Sequence, residues 1–468
     1  MKSFDLIVIG GGSAGFVAAF KARQANLTVA LVEKHKLGGE CPNYACLPSK
    51  AMLRSAEVLN LAENAEKFGV HVKEAHATLP EIVSSKDPII QMLTGSPRLE
   101  NALKRNDVAY IFGEASFVDE HTIEVSGEKH SAKQFVIATG SDPFIPPIEG
   151  LAETGFIDSI AASMLKVQPK RIAIIGGGAV GSEYTQLFTR LHTQVYLIQR
   201  GERILDREDE ETSKVVSESF LAQGVKIFTN TEVAKAERIP EGKKLTLKVK
   251  DGQQEITVDE ILVAPGRRPD LSKLNLAAAG VKLDDRGKLV LDEYLRTTQP
   301  HIWAAGDAAG RYLFTHVAAY EGDIVGWNLT HLEQLKKPDY RVVPRATFTH
   351  PEIGSVGMTE KEAMEKGYEI IASSYPLKVM GRGLTTRETE GFIKLVVDNK
   401  TGQILGGHMV GDDAGEVIHE IALAMFANVP VQKLGEMIHA FPTMAEAVSF
   451  VTEKLLLNID KSLPIFQP

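Results

Sequence analysis

The chain is 468 residues long, 44% hydrophobic and 24% charged, which is ordinary globular usage and room for about three domains. Its 52 Lys and Arg against 61 Asp and Glu leave a formal charge of −9, a poor match for a phosphate backbone, so nucleic acid is not an expected partner. Two cysteines exclude a secreted disulfide scaffold and a four-cysteine zinc site. The 13 histidines form no close ligand cluster, and no metal site is expected.

No run of about 18 apolar residues occurs, so no membrane span is expected. The opening MKSFDLIVIGGG is a poor signal peptide: its apolar run is short, follows Asp5 and breaks into glycine. A cytoplasmic, reducing setting is the default expectation, and there two cysteines are more often reactive than structural.

In chain order, Phe4–Ile9 reads as a buried strand, followed by the turn Gly10-Gly11-Gly12-Ser13-Ala14-Gly15 and a helix through FVAAFKARQ. A second strand, Thr28–Glu33, completes a βαβ start. Gly10, Gly12 and Gly15 form a GxGxxG turn that lets a pyrophosphate approach the helix N-terminus. Glu33, at the end of the second strand, suits a ribose hydroxyl. The pattern recurs with the strand Arg171–Ile175, the turn Gly176, Gly178 and Gly181, the helix SEYTQLFTRL and the strand Val195–Ile198. Where the first unit has Glu33, the second has Gln199, followed by Arg200 with Arg203 nearby. A neutral residue beside arginine tolerates a 2′-phosphate, which leans the second site to NADPH over NADH. The alternative is two solvated surface arginines.

Pro- and Gly-rich breaks at SDPFIPPIEG (141–150) and APGRRPD (264–270) bound the second unit. After about residue 340 the character changes. Residues 389–411 read as a hairpin around Asp398–Gly402, and amphipathic helices follow near 415–427 and 444–457. The expected architecture is α/β, with two Rossmann-like dinucleotide-binding domains plus a C-terminal α+β domain. The expected boundaries are 1–145 with 265–340, then 146–264, then 341–468.

Cys41 and Cys46 lie in GGECPNYACLPSK. A distorted first helical turn could bring them within disulfide range, Pro42 suits such a turn, and a helix N-terminus lowers a thiol pKa. Two buried, inert cysteines are the alternative reading.

The segment resembles the redox-active disulfide signature of the FAD-dependent pyridine nucleotide-disulfide oxidoreductases, a family that includes dihydrolipoamide dehydrogenases, glutathione reductases and mercuric reductases. Ala138-Thr139-Gly140 resembles the family's ATG turn, and Ala264–Pro269, with Gly266 and Arg267, its AxGRxP turn. TTQPHIWAAGD, ending at Asp307, resembles its second FAD motif, and Phe348–Glu352 opens a segment similar to its dimer-interface domain. The resemblance covers essentially the whole chain. It implies FAD on the first glycine turn and Glu33, with Asp307 on the ribityl chain, and NADPH or NADH on the second turn. It makes Cys41 the interchange thiol and Cys46 the thiolate beside the flavin, with Lys50 near flavin N5 and paired with Glu183. It also implies a homodimer that acts on a small-molecule or protein-bound acceptor.

One position departs from the pattern. The family's disulfide reductases place an acid–base histidine before Pro442, oriented by a glutamate. Here Phe441 stands there while Glu446 remains. His439 is two residues too early and is expected to be structural or solvent-facing. A positioned acid–base is worth about 10²–10⁴ in rate, so acceptors that need no protonated leaving thiol become favoured. Quinones, metal ions and low-pKa thiols are such acceptors. Mercuric reductases carry a C-terminal cysteine pair, whereas this sequence ends KSLPIFQP. Soluble transhydrogenases typically lack the second cysteine that is present here as Cys46. A flavin-only diaphorase or transhydrogenase, and a FAD-binding redox sensor or complex subunit, are the alternative readings.

Overall fold

The computed structural model describes residues 1–95, 97–269 and 271–457; Ser96, Asp270 of the APGRRPD break and 458–468, with the KSLPIFQP end, lie outside the described residues. The fold is α/β with two Rossmann-like sheets and a C-terminal α+β module. In the first sheet, strands Val108–Phe112, Val29–Glu33, Lys2–Ile9 and Glu128–Ile137 run parallel in that order, and Ile302–Ala304 joins the last in parallel. Leu6, Ile7 and Val8 are wholly buried, because a parallel strand is covered on both faces; this is why the run is continuously apolar rather than alternating.

The second sheet repeats the plan with Lys226–Phe228, Gln194–Ile198, Arg171–Ile175 and Glu260–Val263, all parallel. The chain crosses between these modules at the two Pro- and Gly-rich breaks. The crossings pair with each other as a short antiparallel ribbon, Asp142–Pro143 against Arg267–Arg268.

The C-terminal module is a five-stranded antiparallel sheet with helices Ala414–Phe426 and Glu446–Leu456 packed on it. The hairpin strands are Phe392–Asp398 and Ile404–Val410, and every residue in both is buried. The Asp398 carboxylate closes the turn by accepting from the Thr401 hydroxyl at 2.6 Å. Among the described residues no helix is long and apolar enough to cross a membrane.

A close helix crossing positions the first site. Helix Thr315–Asn328 lies on helix Ser13–Gln24 through Gly322, where an added Cβ would sit 2.5 Å from the Ala14 carbonyl oxygen. The turn that carries Asp307 is seated against both helices, between Ala14 and Ala318. Gly322→Leu is therefore expected to push the helices apart and cost about 1–3 kcal/mol. A thermal-unfolding scan checks this; an unchanged Tm would contradict the close-crossing account.

Candidate active site

The two glycine turns are built alike, and their glycines divide into two kinds. At Gly15 and Gly181 an added Cβ would lie 1.9 and 1.8 Å from the carbonyl oxygens of Gly10 and Gly176, so these glycines let the helix pack on the turn. At Gly178 an added Cβ meets nothing within 4 Å, and at Gly12 only Gly39 Cα at 3.8 Å. Internal packing does not demand glycine there; close approach by a ligand does. Gly10 and Gly176 have φ of +115° and +111°, the left-handed region that glycine alone adopts without strain.

The helices that follow, Ser13–Gln24 and Ala179–Arg190, have no side-chain cap and no acid in the first turn. Their terminal amides are thus left for an anion. Glu33 accepts from Gly11 N–H at 2.8 Å, and Gln199 accepts from Gly177 N–H at 3.0 Å, so acid and amide occupy equivalent places. Beside the first turn, Gly140 has φ +77° and the Thr139 hydroxyl is buried without a partner among the described residues. An uncapped helix, an unfilled glycine cradle and an orphaned hydroxyl fit a bound FAD.

Cys41 and Cys46 do not share one helix. Cys41 lies in the short helix Glu40–Asn43, with Pro42 in its turn, and the backbone breaks at Tyr44 and Ala45. Cys46 then begins the long helix Cys46–Glu63, so Cys46, and not Cys41, stands in the first turn of an eighteen-residue helix. Both thiols are unbonded.

Cys46 is held down to about 6, first by a hydrogen bond from Cys41 and then by the Lys50 charge and the Thr315 hydroxyl, against the effect of burial. The Thr315 oxygen is 3.8 Å from the sulfur. Cys41 is pushed up, because it holds the shared proton and is itself buried. The pair is therefore asymmetric: Cys46 the thiolate, Cys41 the thiol.

Lys50 lies one turn after Cys46. Its Nζ donates to both Glu183 oxygens, at 2.9 and 2.8 Å, and sits 4.9 Å from the centre of the Phe348 ring. Glu183 is on the second turn's helix, buried, and also accepts from Phe348 N–H at 3.1 Å.

On the other side, Arg267 reaches across from the crossing ribbon. It donates to the Glu40 carboxylate beside Cys41, to the Ser141 carbonyl and, through Nε, to the Ser141 hydroxyl at 2.9 Å. That hydroxyl donates to Asp307 at 2.6 Å. Burial raises both Glu40 and Asp307. Gly266, φ +138°, makes the bend that aims Arg267 inward. All three nitrogens of Arg267 are thus engaged by protein atoms.

The remaining expected residues separate. Arg200 is exposed, but Arg203 donates to the backbone carbonyls of Asp206, Glu208 and Asp209, which corrects the reading of it as a free surface arginine. Phe441 is 79% exposed and Glu446 accepts from Thr443 N–H at 3.1 Å. His439 is structural: its side chain is buried and pairs with Glu420 at 2.9 Å. Sequence reasoning missed Thr315, Ser141 and Asp206, whose partners lie far off in the chain or across a turn, and Glu40, whose place beside Cys41 was visible. Among the described residues no cluster of three or more His, Cys, Asp or Glu could hold a metal ion.

Two phosphate-ready glycine turns and an asymmetric dithiol tied to the second of them are the equipment of a redox enzyme that handles two dinucleotides. The family model "Pyridine nucleotide-disulphide oxidoreductase" matches residues 4–322, and that family's dimerisation domain matches 343–451. The chain is 38% identical over 460 residues to a mercuric reductase of Staphylococcus aureus, covering 98% of this chain and 83% of the relative. It is also 38% identical over 459 residues to a dihydrolipoyl dehydrogenase of Thermus scotoductus, covering 97% and 98%. The solved structure of the HOCl-induced flavoprotein disulfide reductase RclA from Escherichia coli superposes with a TM-score of 0.85 at 28% identity, over 96% of this chain and 99% of that one. The chain belongs to the pyridine nucleotide-disulfide oxidoreductase family. It is an oxidoreductase that uses FAD and a pyridine nucleotide, with a C-terminal dimerisation domain.

The asymmetry of the dithiol is measurable. Thiolate absorbance of the reduced enzyme is expected to rise by one equivalent with a midpoint near pH 6, since a lowered pKa keeps Cys46 charged above that pH and protonates it below. Cys41 should stay protonated through neutral pH. Lys50→Met should raise the midpoint by about one unit. Two equivalents titrating together near the ordinary thiol value would contradict the asymmetry.

Proposed function

We propose that the enzyme passes electrons from NADPH to the Cys41–Cys46 pair and on to an acceptor that needs no acid–base at the leaving thiol. The pKa split between the two sulfurs carries this reading. The first glycine turn, Glu33, Thr139, Gly140 and Asp307 would hold FAD, which would supply two-electron exchange between the nicotinamide and the disulfide. Cys46, charged and held by Cys41, Lys50 and Thr315, is the sulfur on the cofactor side. Cys41, which keeps the proton, is the one that meets the acceptor. Lys50 keeps positive charge beside the thiolate, and Glu183 fixes where that charge stands.

Phe441 and Glu446 would reach the cysteines of the partner copy in a homodimer. A phenyl ring there excludes water but holds no proton. With a disulfide acceptor such as lipoamide, a thiolate would leave without a positioned acid, while a quinone, a metal ion or a disulfide whose leaving thiol has a low pKa would not need one. NADPH oxidation by the wild type is accordingly expected to be slow with oxidised lipoamide and fast with a simple quinone. Phe441→His should gain about a hundredfold on lipoamide with little change on the quinone. Brisk lipoamide reduction by the wild type would overturn the argument from Phe441.

The guanidinium groups of Arg200 and Arg207 are exposed on the loop after Gln199, with no partner among the described residues, and Asp206 is engaged by the Gln199 amide at 3.2 Å. Two unengaged guanidinium groups, set against the exposed Glu202 and the engaged Asp206, favour a 2′-phosphate, with NADH as the alternative. Arg200→Glu is expected to lower the NADPH-to-NADH ratio of kcat/KM about tenfold or more, the value of one charge-assisted hydrogen bond. An unchanged ratio would place Arg200 outside the site.

A further inference from the structure

The loop from Gln199 to Asp209 carries the groups assigned above to the 2′ position of the nucleotide, and its internal bonds run in one line. Gly177 N–H donates to Gln199 at 3.0 Å, and Gln199 Nε2 donates to the Asp206 carboxylate at 3.2 Å. Arg203 ties the Asp206 carbonyl, at 3.1 Å, to the Glu208 carbonyl, at 2.8 Å. The line then leaves the nucleotide module. The Glu208 carboxylate receives Arg345 Nε at 2.8 Å and Nη2 at 3.0 Å, and the Ser355 hydroxyl at 2.7 Å. The Asp209 carboxylate, which accepts from Glu211 N–H at the start of helix Glu210–Ala222, receives Lys394 Nζ at 3.0 and 3.2 Å. Lys394 is further held by Glu211 at 2.9 Å and Glu360 at 2.7 Å. Arg345, Ser355 and Lys394 all belong to the sheet of the dimerisation domain.

These charges are buried: Glu208 is 6% exposed, Asp209 3% and Lys394 4%. A buried ion pair adds little net stability, but it resists any arrangement that leaves one charge unpaired, so it fixes geometry better than it adds stability. Here the geometry it fixes is that of a loop whose middle, at Asp206 and Arg207, is exposed.

We infer that Lys394 and Arg345 are positioning residues for the pyridine-nucleotide site: by clamping Asp209 and Glu208 from the dimerisation domain, they hold the loop that sets nucleotide affinity and 2′ selectivity. The inference rests on the assignment of the second glycine turn to the pyridine nucleotide. Neither residue is placed on the nucleotide itself; they act through Arg203, Asp206 and Gln199. The apparent dissociation constant rises as the competent fraction of the loop falls, so a loop left competent in about a tenth of molecules binds about tenfold more weakly.

The test uses oxidised, FAD-loaded enzyme. Binding of NADP⁺ and of NAD⁺ is measured by calorimetry well below Tm, beside KM and kcat for NADPH with one fixed acceptor. Lys394→Met is expected to raise the NADP⁺ dissociation constant and the NADPH KM together by about tenfold, with kcat within about twofold of wild type. Lys394→Arg should restore most of the affinity. Ser374→Ala removes only a neutral 2.8 Å bond to Glu211, one of three carboxylates around Lys394, and should move either constant by less than about twofold.

If Lys394→Met does not yield folded enzyme, Ser355→Ala takes its place. It removes a neutral bond to Glu208, and an about threefold rise is expected. A Lys394→Met enzyme with lowered Tm but wild-type nucleotide constants would overturn the inference and leave the clamp purely structural. Saturable binding of neither nucleotide by the wild type would instead remove the assignment of the second turn, and the inference with it.

Discussion

One buried carboxylate, Glu183, holds three parts of the molecule in register. It sits on the helix of the second glycine turn and accepts the Lys50 ammonium from the cysteine helix through both oxygens. It also accepts the backbone N–H of Phe348, where the dimerisation domain begins. The cysteine segment, the nucleotide module and the C-terminal module thus meet at one charge. Removing either partner of a buried pair costs about 3–5 kcal/mol, whereas the intact pair contributes little net stability. The pair is best understood as setting position. It keeps a cation near Cys46 and keeps the second turn at a fixed distance from the dithiol.

The same economy recurs around the site. Arg267 joins Glu40, next to Cys41, to Ser141 and so to Asp307, which ties the other side of the cysteine segment to the crossing ribbon. The thiol pair therefore lies between two ion-paired supports, one on each neighbouring module. Its asymmetry follows from the Cys41 hydrogen bond, Lys50 and Thr315, all acting on Cys46, and the break at Tyr44 and Ala45 places the two sulfurs on different helices. Had both cysteines stood in one helix, they would have shared its amide end. The break puts Cys46 alone at the start of the long helix, while Cys41, donating to Cys46 and buried, holds the proton.

Much of this was legible in the sequence, because the informative features are local. The glycine turns announce themselves by spacing, the buried parallel strands by continuous apolar runs, and the hairpin by polar turn residues between two such runs. Helix ends near 414 and 446 came within two residues of the observed ones. What stayed hidden depends on contacts between distant segments. Arg203 read as a phosphate-side arginine or else a surface charge, since nothing in RGERILDRED shows that the loop folds back to offer it three carbonyls. Asp206 reaches Gln199 only through that fold. Thr315 and Cys46 are 269 residues apart. A distorted turn between the cysteines was expected, but not its split into two helices, because no proline or glycine interrupts NYACLPSK between Asn43 and Cys46.

The central claim is that the dithiol, and not the flavin alone, carries electrons. Anaerobic reductive titration of the FAD-loaded enzyme tests it most directly, by counting the electrons each subunit accepts. A working Cys41–Cys46 disulfide takes two electrons beyond the two held by the flavin, and Cys46→Ser should lose that extra pair. Wild type that saturates at the flavin's two electrons, indistinguishable from Cys46→Ser, would contradict the account.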